Sequence, residues 1–212
     1  MKKMTHNKGI IAVISGFSGA GKGTVVNGLT SRYGYSVSIS ATTRAPRQGE
    51  EDGKDYFFKT KKEFEQMIKE EKLIEYAKYV DNYYGTPKDY VFGKINSGQD
   101  VLLEIEMQGA LQVKKKFPEV SLIFITPPDA AELKNRLVKR GTEKPDVIEK
   151  RVMRAVEECS FMPEYDYIMV NDDLEKCITQ MHSLIQSLHY TRNNQQLLID
   201  RISSDFKAFM QL

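Results

Sequence analysis

The stretch Gly16-Phe17-Ser18-Gly19-Ala20-Gly21-Lys22-Gly23-Thr24 decides the fold of this chain. It follows the apolar run at residues 10–14 and precedes a second apolar segment that begins at Val25. A buried strand, a glycine-rich turn and a helix start are the context of a phosphate-binding loop, because backbone N–H groups and the helix N-terminus converge on an anion. The stretch therefore predicts a binding site for a nucleoside triphosphate.

Lys22 and the glycines before it match the pattern Gly-x-x-x-x-Gly-Lys, but Gly23 stands where a serine or threonine usually binds magnesium. The hydroxyl comes one residue later, at Thr24. We expect Lys22 to reach the β- and γ-phosphates, and Mg²⁺ to be held mainly by phosphate oxygens, water and a carboxylate elsewhere. A glycine-rich turn with a surface lysine is the alternative, and the flanking strand and helix argue against it.

The composition fits one domain without export or nucleic-acid binding. A chain of 212 residues can bury one α/β core with inserted parts, and a formal net charge of +2 does not attract nucleic acid or an anionic membrane. Cys159 and Cys177 have neither metal-ligand nor disulfide spacing, which favours a reducing, cytoplasmic compartment. The run at residues 10–14 is too short for a membrane span, and we expect residues before Gly9 to be a loose tail.

Apolar runs along the chain predict a parallel sheet that is covered by helices on both faces, because such strands lack polar alternation. The five strand candidates are residues 10–15, 35–40, 101–106, 121–126 and 165–170. Glu106 closes the third of these, at the edge of the sheet where ligands of α/β proteins bind. We therefore expect Glu106 to influence magnesium or a bound base.

Residues 39–95 are predicted to form a small α+β insertion. Thr60 and Glu63 have capping-box spacing before a helix at 61–72, a strand follows at 73–80, and Pro87 opens a helix through Ile95. Arg44 and Arg47 lie in a Pro- and Gly-rich loop of this insertion, and their guanidinium groups could bind a phosphate through paired hydrogen bonds. A solvated surface loop is the alternative, and the loop taken alone favours it.

A helix at 129–139, a break at Gly141 and a second helix from Pro145 are typical of a mobile lid. The arginines on the two sides of the break are Arg136, Arg140, Arg151 and Arg154. A helical hairpin with salt-bridged arginines is the alternative, and the phosphate-binding loop favours the lid.

Two further segments have simpler interpretations. The run at residues 114–116, three lysines, is expected to be a solvated face near a helix C-terminus, where cations complement the dipole. Residues 193–212 predict an amphipathic helix whose apolar face is buried on the core or against another subunit, so a homo-oligomer is an open alternative.

Taken together, these motifs closely resemble those of guanylate kinases, the nucleoside monophosphate kinases that phosphorylate GMP. The resemblance covers about residues 9–190. It rests on residues 16–24, on Ser40-Ala41-Thr42-Thr43-Arg44-Ala45-Pro46-Arg47-Gln48-Gly49-Glu50, on Gly53-Lys54-Asp55-Tyr56-Phe57-Phe58, on Asn82-Tyr83-Tyr84-Gly85-Thr86, on Met107-Gln108-Gly109, on Arg136-Leu137-Val138-Lys139-Arg140-Gly141 and on Val170-Asn171-Asp172-Asp173.

The resemblance implies a P-loop kinase fold that transfers the ATP γ-phosphoryl group to GMP and dGMP with Mg²⁺. It implies one domain with a core at 9–38, 100–128 and 156–192, a GMP-binding subdomain at 39–95, a lid at 129–155 and an extension at 193–212. The implied ATP-binding residues are Gly16, Phe17, Ser18, Gly19, Ala20, Gly21, Lys22, Gly23, Thr24, Arg136 and Asn171. The implied GMP-binding residues are Ser40, Arg44, Arg47, Tyr56, Glu75, Tyr84, Thr86 and Glu106. The implied catalytic residues are Lys22, Arg44, Arg140 and Arg151, with Thr24 or Glu106 as candidate contacts of Mg²⁺.

Glu75 also makes independent chemical sense as the residue that selects guanine. Guanine presents N1–H and an N2 amine side by side, and one carboxylate accepts from both, whereas adenine presents an acceptor at N1. A site built for paired donors rejects the other base by about 10⁴-fold, because the carboxylate would be left buried and unpaired. Glu104 and Glu106 stand where family members commonly have aspartates, and the extra methylene puts the contact of Glu106 with guanine or magnesium in question.

Three alternative functions compete with this one. A non-catalytic protein-binding module of the same fold typically has a degraded phosphate loop, whereas Gly21, Lys22 and the lid arginines are present here. A GTPase would carry an Asn-Lys-x-Asp guanine reader, and the sequence has none. A kinase for AMP or dTMP is the nearest competitor, and the surroundings of Glu75 argue against it.

Overall fold

The computed structural model describes residues 8–79, 81–139 and 145–210, with only the backbone at residue 79. The strands in these ranges are β1 Ile11–Gly16, β2 Ser36–Val37, β3 Ala41–Thr42, β4 Phe57–Phe58, β5 Leu73–Tyr79, β6 Asn82–Pro87, β7 Val101–Glu104, β8 Ser121–Thr126 and β9 Tyr167–Val170. The helices are α1 Lys22–Tyr33, α2 Lys61–Lys69, α3 Lys88–Asn96, α4 Met107–Lys116, α5 Ala130–Lys139, α6 Pro145–Cys159, α7 Leu174–Leu188 and α8 Gln196–Phe209.

The main sheet has the strand order β2-β7-β1-β8-β9, and all of its neighbouring strands run parallel. Val13 and Ile14 are adjacent on β1, so their side chains point to opposite faces of the sheet. Both are fully buried, which means that both faces are covered. The predicted α/β architecture, a five-stranded parallel sheet between helices, is confirmed.

Helix α1 begins and ends as its sequence predicts. Its N-cap, Gly21, has φ 89°, and its C-cap, Gly34, has φ 72° and donates its N–H to Thr30 O. Glycine is favoured at both positions because a Cβ is strained at positive φ. The predicted face of Val25, Val26 and Leu29 is buried, and α1 packs against α7.

A second sheet of order β4-β3-β6-β5 forms the small insertion, together with α2. The predicted capping box is present: Thr60 Oγ1 accepts from the backbone N–H of Glu63, and the Glu63 carboxylate accepts from Thr60 N at 2.7 Å. Helix α2 ends at Lys69 rather than at the predicted residue 72. Glu71 follows with φ 52°, which turns the chain out of the helix and into β5.

Several strand predictions for this part of the chain were wrong in extent. The strand expected at 35–40 pairs only over Ser36–Val37, and Ala41–Thr42, predicted as loop, is β3. Strand β6 was not predicted, because Asn82–Pro87 shows no apolar alternation and contains Gly85. Backbone pairing with β3 and β5 forms these strands, so tertiary contacts outweigh local propensity.

The lysine run on α4 is not a purely solvated face. Lys114 Nζ lies 2.8 Å from Asp166 Oδ2 and donates to Val120 O, while Lys116 Nζ donates to Ile74 O at 2.9 Å. Only Lys115 of the run is an exposed residue for which the structure records no such bond. The helix C-terminus therefore joins neighbouring elements instead of facing water alone.

Helix α8 is confirmed within the predicted range 193–212, but every residue along it is exposed in the single chain. Of the two surfaces predicted to bury its apolar face, the core is therefore excluded in the single chain, and another subunit stays a prediction. In the described ranges, no helix combines the length and the apolar character that crossing a bilayer requires.

Candidate functional site

The glycine-rich loop between β1 and α1 is held open by two glycines that no other residue replaces without strain. A Cβ on Gly16 would lie 2.0 Å from Ile125 O, and Gly16 has φ 146°. A Cβ on Gly21 would lie 2.5 Å from Asn171 Nδ2. The loop therefore passes close to β8 and to the end of β9.

Lys22 lies folded over this loop at the start of α1. Its Nζ donates to Gly16 O at 2.7 Å and to Phe17 O at 3.2 Å. The ammonium is thus positioned beside the first-turn N–H groups of α1, which have no acceptor within the helix. One positive charge and several backbone donors converge on the same space, and this arrangement suits the terminal phosphates of a nucleotide.

Two predicted ATP-binding residues support the loop from outside. Asn171 is buried, and its Nδ2 donates to Ala20 O at 2.8 Å. Arg136 Nη2 donates to Asn171 O at 2.9 Å, and its Nε pairs with Glu132 at 2.7 Å. These bonds link α5 and the end of β9 to the loop, so a change in either residue should alter the shape of the phosphate site.

Of the arginines predicted for the lid, Arg136, Arg151 and Arg154 lie in the described ranges. Arg151 on α6 donates from Nη1 to Ser18 Oγ at 3.1 Å, so the second helix of the predicted lid contacts the phosphate-binding loop. Arg140, predicted as catalytic, lies outside the described residues. The proximity of Arg151 to Ser18 is the geometry that a lid over transferring phosphates requires.

The close approach of Gly21 to Asn171 leads to a testable prediction. Gly49 has φ 88° and open space where a Cβ would lie, with no heavy atom within 4 Å, whereas Gly21 has φ 89° and a 2.5 Å contact. Gly49→Ala should therefore cost only the strain of positive φ, about 1–2 kcal/mol. Gly21→Ala should lower the thermal midpoint further and weaken ATP binding, because Asn171 must leave Ala20.

Thermal melts with and without ATP measure both effects. Because the two glycines share nearly the same φ, the difference between the two variants isolates the contact with Asn171. Equal melting points and equal ATP affinities for the two variants would contradict the assigned support.

Two glutamates lie where β7 ends, since Glu104 is its last residue and Glu106 is the N-cap of α4. A Cβ on Gly23 would lie 3.6 Å from Glu104 Oε1, so this carboxylate borders the phosphate-binding loop. Glu104 is exposed, yet desolvation by the surrounding protein raises the pKa of its carboxyl group. The charge of Glu106 raises this pKa further, whereas the charge of Lys22 lowers it. Glu104 was not among the predicted site residues, because the strand was predicted to run to Glu106, whereas β7 ends at Glu104.

Glu106 itself faces α6, the second helix of the predicted lid, rather than the loop. It is the N-cap of α4 and lies 3.8 Å from Arg154 Nη2, while Arg154 Nε also donates to Glu158 at 3.1 Å. Glu158 is buried, and burial raises the pKa of its carboxyl group. Arg154 thus connects α6 to the start of α4, a contact that the sequence did not disclose.

The carboxylates do not build a complete metal site by themselves. Within the described ranges, no group of three or more His, Cys, Asp or Glu side chains could hold a metal ion. A single carboxylate near the loop fits a magnesium ion that keeps waters and binds mainly through substrate phosphates. Glu104 is better placed for this contact than Glu106, and Thr24 lies exposed in the first turn of α1.

Arg44 is the centre of a second cluster, in the small insertion. Its Nη2 lies 2.8 Å from Glu50 Oε1 and 3.0 Å from Glu50 Oε2, and its guanidinium lies 5.4 Å from the centre of the Tyr56 ring. The Tyr84 side chain also favours the charged form of Arg44. The Glu50 carboxylate raises the pKa of Arg44, and Arg44 lowers the pKa of Glu50.

The cluster gathers four of the predicted GMP-binding residues, Arg44, Arg47, Tyr56 and Tyr84. The rings of Tyr56 and Tyr84 are 6.2 Å apart, and burial raises the pKa of the Tyr56 hydroxyl. Arg47 donates its backbone N–H to Glu50 at 2.7 Å and is itself exposed. Ser40 is half-buried next to β3, and its carbonyl accepts from Phe57 N.

Glu75 is held by a β-bulge in β5. The register with β6 shifts by one residue between Leu73 and Tyr76. Ile74 consequently packs into the main core, while Glu75, only 5% exposed, accepts from Thr86 Oγ1 at 2.7 Å. Bulges re-aim side chains next to active sites, and this one turns a carboxylate toward the predicted base-binding space.

Helix α4 fixes this strand to the core. A Cβ on Gly109 would lie 2.7 Å from Glu75 Oε2. Gln112 Nε2 donates to Tyr76 O at 3.0 Å, and Lys116 Nζ donates to Ile74 O. Burial raises the pKa of Glu75, while Thr86 and Lys116 favour its charged form. Gln112 and Lys116 were missed by sequence reasoning, because their spacing on one helix face resembles ordinary packing.

The two predicted sites meet where β7 gives way to α4. Glu104 borders the phosphate-binding loop, Glu106 contacts the lid, and Gly109 lies against Glu75. Glu106 and Gly109 are three residues apart at the start of α4, which is less than one helical turn. Residues predicted for the triphosphate, the lid and the guanine base therefore meet at one junction.

Similar proteins support the interpretation of this junction. The family model described as Guanylate kinase matches residues 8–188. A guanylate kinase of Bacillus cereus is 52% identical over 193 residues, which cover 89% of this chain and 93% of the relative. A guanylate kinase of Oceanobacillus iheyensis is 48% identical over 209 residues, 98% of each protein. Among solved structures, a guanylate kinase from Anaplasma phagocytophilum aligns with a TM-score of 0.70 at 32% identity, over 89% of this chain and 90% of that chain.

Proposed function

The chain belongs to the guanylate kinase family, as its motifs indicated, and from that premise we propose which of its residues transfer the γ-phosphoryl group of ATP to GMP. The reaction gives ADP and GDP. We extend it to dGMP because the proposed contacts are made with the base and the phosphate, which GMP and dGMP share. The single observation that supports the assignment best is the β7–α4 junction, where Glu104, Glu106 and Gly109 face the loop, the lid and Glu75.

The phosphate-binding loop and the lid bind ATP in this proposal. The N–H groups of residues 16–24 surround the β- and γ-phosphates, and Lys22 exchanges its loop carbonyls for phosphate oxygens. Arg136 and Asn171 keep the loop in shape from outside. Arg151 already reaches Ser18, so closure of the lid brings its charge to the transferring group together with that of Arg140.

The cluster around Arg44 binds the phosphate of GMP. Tyr56, Tyr84 and Arg47 complete it, while Glu50 orients the Arg44 guanidinium through two oxygens. Tyr84 and Thr86 lie two residues apart on β6, so their side chains share one face of the strand, about 7 Å apart. This spacing supports one GMP molecule with its phosphate at Arg44 and its base at Glu75.

Glu75, Thr86 and Ser40 bind the guanine base. The carboxylate accepts from N1–H and the N2 amine, and the Thr86 hydroxyl already fixes one of its oxygens. Because Glu75 is almost fully buried, a base that cannot donate leaves an uncompensated carboxylate in the site. The bulge in β5 and the contacts from α4 hold this acceptor rigid.

Phosphoryl transfer needs position and positive charge more than a general base. The attacking phosphate oxygen of GMP is already anionic, so the protein has to align it with the γ-phosphorus and neutralise the equatorial oxygens. Lys22, Arg44, Arg140 and Arg151 supply that charge in the proposal. Closure of the lid excludes water, which would otherwise accept the phosphoryl group.

Mg²⁺ is proposed as the cofactor of the bound nucleotide. Glu104, through water or directly, and Thr24 are the side chains that would hold it, and Glu106 is the lesser candidate because it faces Arg154. When bound there, the ion would supply positive charge that offsets the charge of the nucleotide phosphates. We also propose that the reaction takes place in the cytoplasm, where a reducing compartment suits the free thiols of Cys159 and Cys177.

An acceptor panel tests the proposal directly. With Mg·ATP, the purified protein should convert GMP to GDP, use dGMP less well, and leave AMP and dTMP nearly untouched. A coupled assay of ADP release measures each rate, with no added acceptor as the control for ATP hydrolysis. Equal use of AMP and GMP would contradict the role of Glu75.

The pH dependence of GMP use should follow the titration of Glu75. Burial raises the pKa of Glu75, and only the ionised carboxylate accepts from both guanine donors, so kcat/KM for GMP should fall as the pH drops through that raised value. Lys116→Met removes a charge that lowers the pKa, and the acid limb of the profile should move to higher pH.

Lys115→Met is the matched control, because the neighbouring Lys115 is exposed on the same helix. Both variants are compared with the unmodified chain in kcat/KM for GMP across the acid range. If Lys116→Met lowers kcat/KM at every pH without moving the acid limb, Lys116 only anchors β5 and does not influence the titration of Glu75.

A further inference from the structure

Thr42 carries a buried hydroxyl between two of the residues proposed to bind the phosphate of GMP. It is the last residue of β3 and is 0% exposed. Arg44 follows two positions later, and Tyr84 lies directly opposite Thr42 where β3 pairs with β6. Opposite residues of an antiparallel pair have Cβ atoms about 5 Å apart, so Thr42 is a neighbour of both. Thr42 was not among the predicted site residues.

The Thr42 hydroxyl is used both as a donor and as an acceptor. Its Oγ1 donates to Tyr83 O at 2.9 Å and accepts from the backbone N–H of Arg44 at 3.2 Å. Threonine hydroxyls that bind the backbone two residues further along stabilise a turn. The hydroxyl therefore connects β6 to the point at which the chain leaves β3 and turns toward the cluster around Arg44.

Arg44 is consequently held at two separate places. Its Nη2 contacts both carboxylate oxygens of Glu50, and its Nη1 donates to Ala45 O at 2.8 Å. Its main chain is bound to Thr42. A guanidinium forms paired bonds to a phosphate only when the fork has a defined position and direction. Glu50 fixes the direction of the fork, and the Thr42 hydroxyl fixes where the side chain begins.

The neighbouring Thr43 hydroxyl has different partners. Its Oγ1 accepts from Tyr83 N at 2.9 Å and donates to Asn82 Oδ1 at 3.3 Å, while Thr43 N donates to Tyr83 O at 3.1 Å. These three bonds continue the pairing of β3 with β6, and none of them involves Arg44. Substitution of Thr43 therefore removes a bond between strands, whereas substitution of Thr42 also removes the bond to Arg44.

We propose that Thr42 is a positioning residue for phosphoryl transfer, because its hydroxyl fixes Arg44 relative to Tyr84 and thereby fixes the phosphate of GMP. The inference rests on the proposed function, in which Arg44 and Tyr84 bind that phosphate. Without the hydroxyl, the Arg44 N–H loses an acceptor and the loop after β3 shifts. A displacement of about 1 Å in a group that aligns the reactants lowers the rate by up to about 10²-fold.

Thr42→Val tests this role, because valine keeps the β-branched shape and removes the hydroxyl. We expect kcat/KM for GMP to fall about 10- to 100-fold, through a higher KM and a lower kcat. Thr42→Ser retains the hydroxyl and should stay within about threefold of the unmodified chain. Thr43→Val is the matched control, and it should also keep kcat/KM within about threefold.

Guanosine distinguishes a local role of Thr42 from general damage to the insertion. It carries the guanine base without the phosphate, so its binding depends on Glu75 and Thr86 but not on Arg44 in the proposed arrangement. The inhibition constant of guanosine against GMP should therefore be the same for Thr42→Val and for the unmodified chain. Thermal melts of each variant show that it is folded at the assay temperature.

A double-mutant cycle tests whether Thr42 acts through Arg44. Arg44→Lys keeps the positive charge but loses the paired bonds to phosphate. Calorimetric titration with GMP gives the dissociation constant of each single variant and of the double variant. Thr42→Val should weaken GMP binding about tenfold in the unmodified chain but less than about threefold when Arg44→Lys is already present.

Three results would overturn the inference. The first is a Thr42→Val protein with unchanged kcat/KM for GMP, and the second is an equal loss in Thr43→Val, which would assign the effect to strand pairing. The third is guanosine binding that weakens as much as GMP binding. An unmodified chain that binds no GMP in the calorimeter would contradict the proposed function as well, so the two failures are distinguishable.

Discussion

Replacing Lys22 with alanine is expected to lower kcat by at least about 10³-fold, which corresponds to about 4 kcal/mol of transition-state stabilisation. Lys22 is the side-chain cation that the start of α1 places over the phosphate-binding loop, within 2.7 Å of Gly16 O. Negative charge spreads over the transferred phosphoryl group during the reaction, and a fixed ammonium stabilises it most where water is excluded. Methionine at the same position, which keeps much of the side-chain length without the charge, should lose nearly as much.

The comparison variant is Lys115→Ala, which removes an exposed lysine from α4 outside both sites. Its kcat should equal that of the unmodified chain. Initial rates with saturating GMP and Mg·ATP give kcat, and ATP titration in the absence of GMP separates binding from chemistry. A Lys22→Ala rate within about tenfold of the unmodified chain would mean that transfer takes place away from this loop.

Replacing Glu75 with glutamine is expected to lower kcat/KM for GMP by about 10²- to 10³-fold, mainly through a higher KM. The glutamine amide keeps one acceptor but turns an N–H toward a guanine donor. The same amide suits adenine, which offers an acceptor at N1 and an amine beside it. The preference for GMP over AMP should therefore fall from about 10⁴-fold to below about 10²-fold.

The fold should tolerate this change, because the glutamine oxygen still accepts from the Thr86 hydroxyl. Removal of a buried carboxylate also removes its desolvation cost. Glu71→Gln, at an exposed position just before β5, is the matched control. It should leave kcat/KM for GMP and for AMP unchanged. A Glu75→Gln protein that melts normally and still discriminates against AMP by about 10⁴-fold would place base selection elsewhere.

The phosphate-binding loop could be predicted because its function depends on residues that are neighbours in sequence. Gly16, Gly21 and Lys22 act through local backbone geometry, so a strand, a turn and a helix start were enough to locate the site. The capping box at Thr60 and Glu63 was visible for the same reason. Strand β6 was missed because its pairing partners, β3 and β5, lie elsewhere in the chain.

The surroundings of Glu75 show what sequence patterns could not supply. The resemblance to a known family named Glu75 as a guanine contact, yet the bulge that separates it from Ile74 arises only when β5 pairs with β6. Gln112 and Lys116 fix that strand across 36 and 42 positions of sequence. Similarly, Glu104 rather than Glu106 borders the loop, because the chain direction changes where β7 meets α4.

The sequence by itself determined the fold class, the phosphate-binding loop and the family, because each follows from periodicity or from motifs of adjacent residues. Only the tertiary structure decided how Glu75 is oriented, how Arg136 and Asn171 support the loop, and that the apolar face of α8 stays exposed. These features depend on which elements pack together, and packing is fixed by the whole core rather than by any one segment.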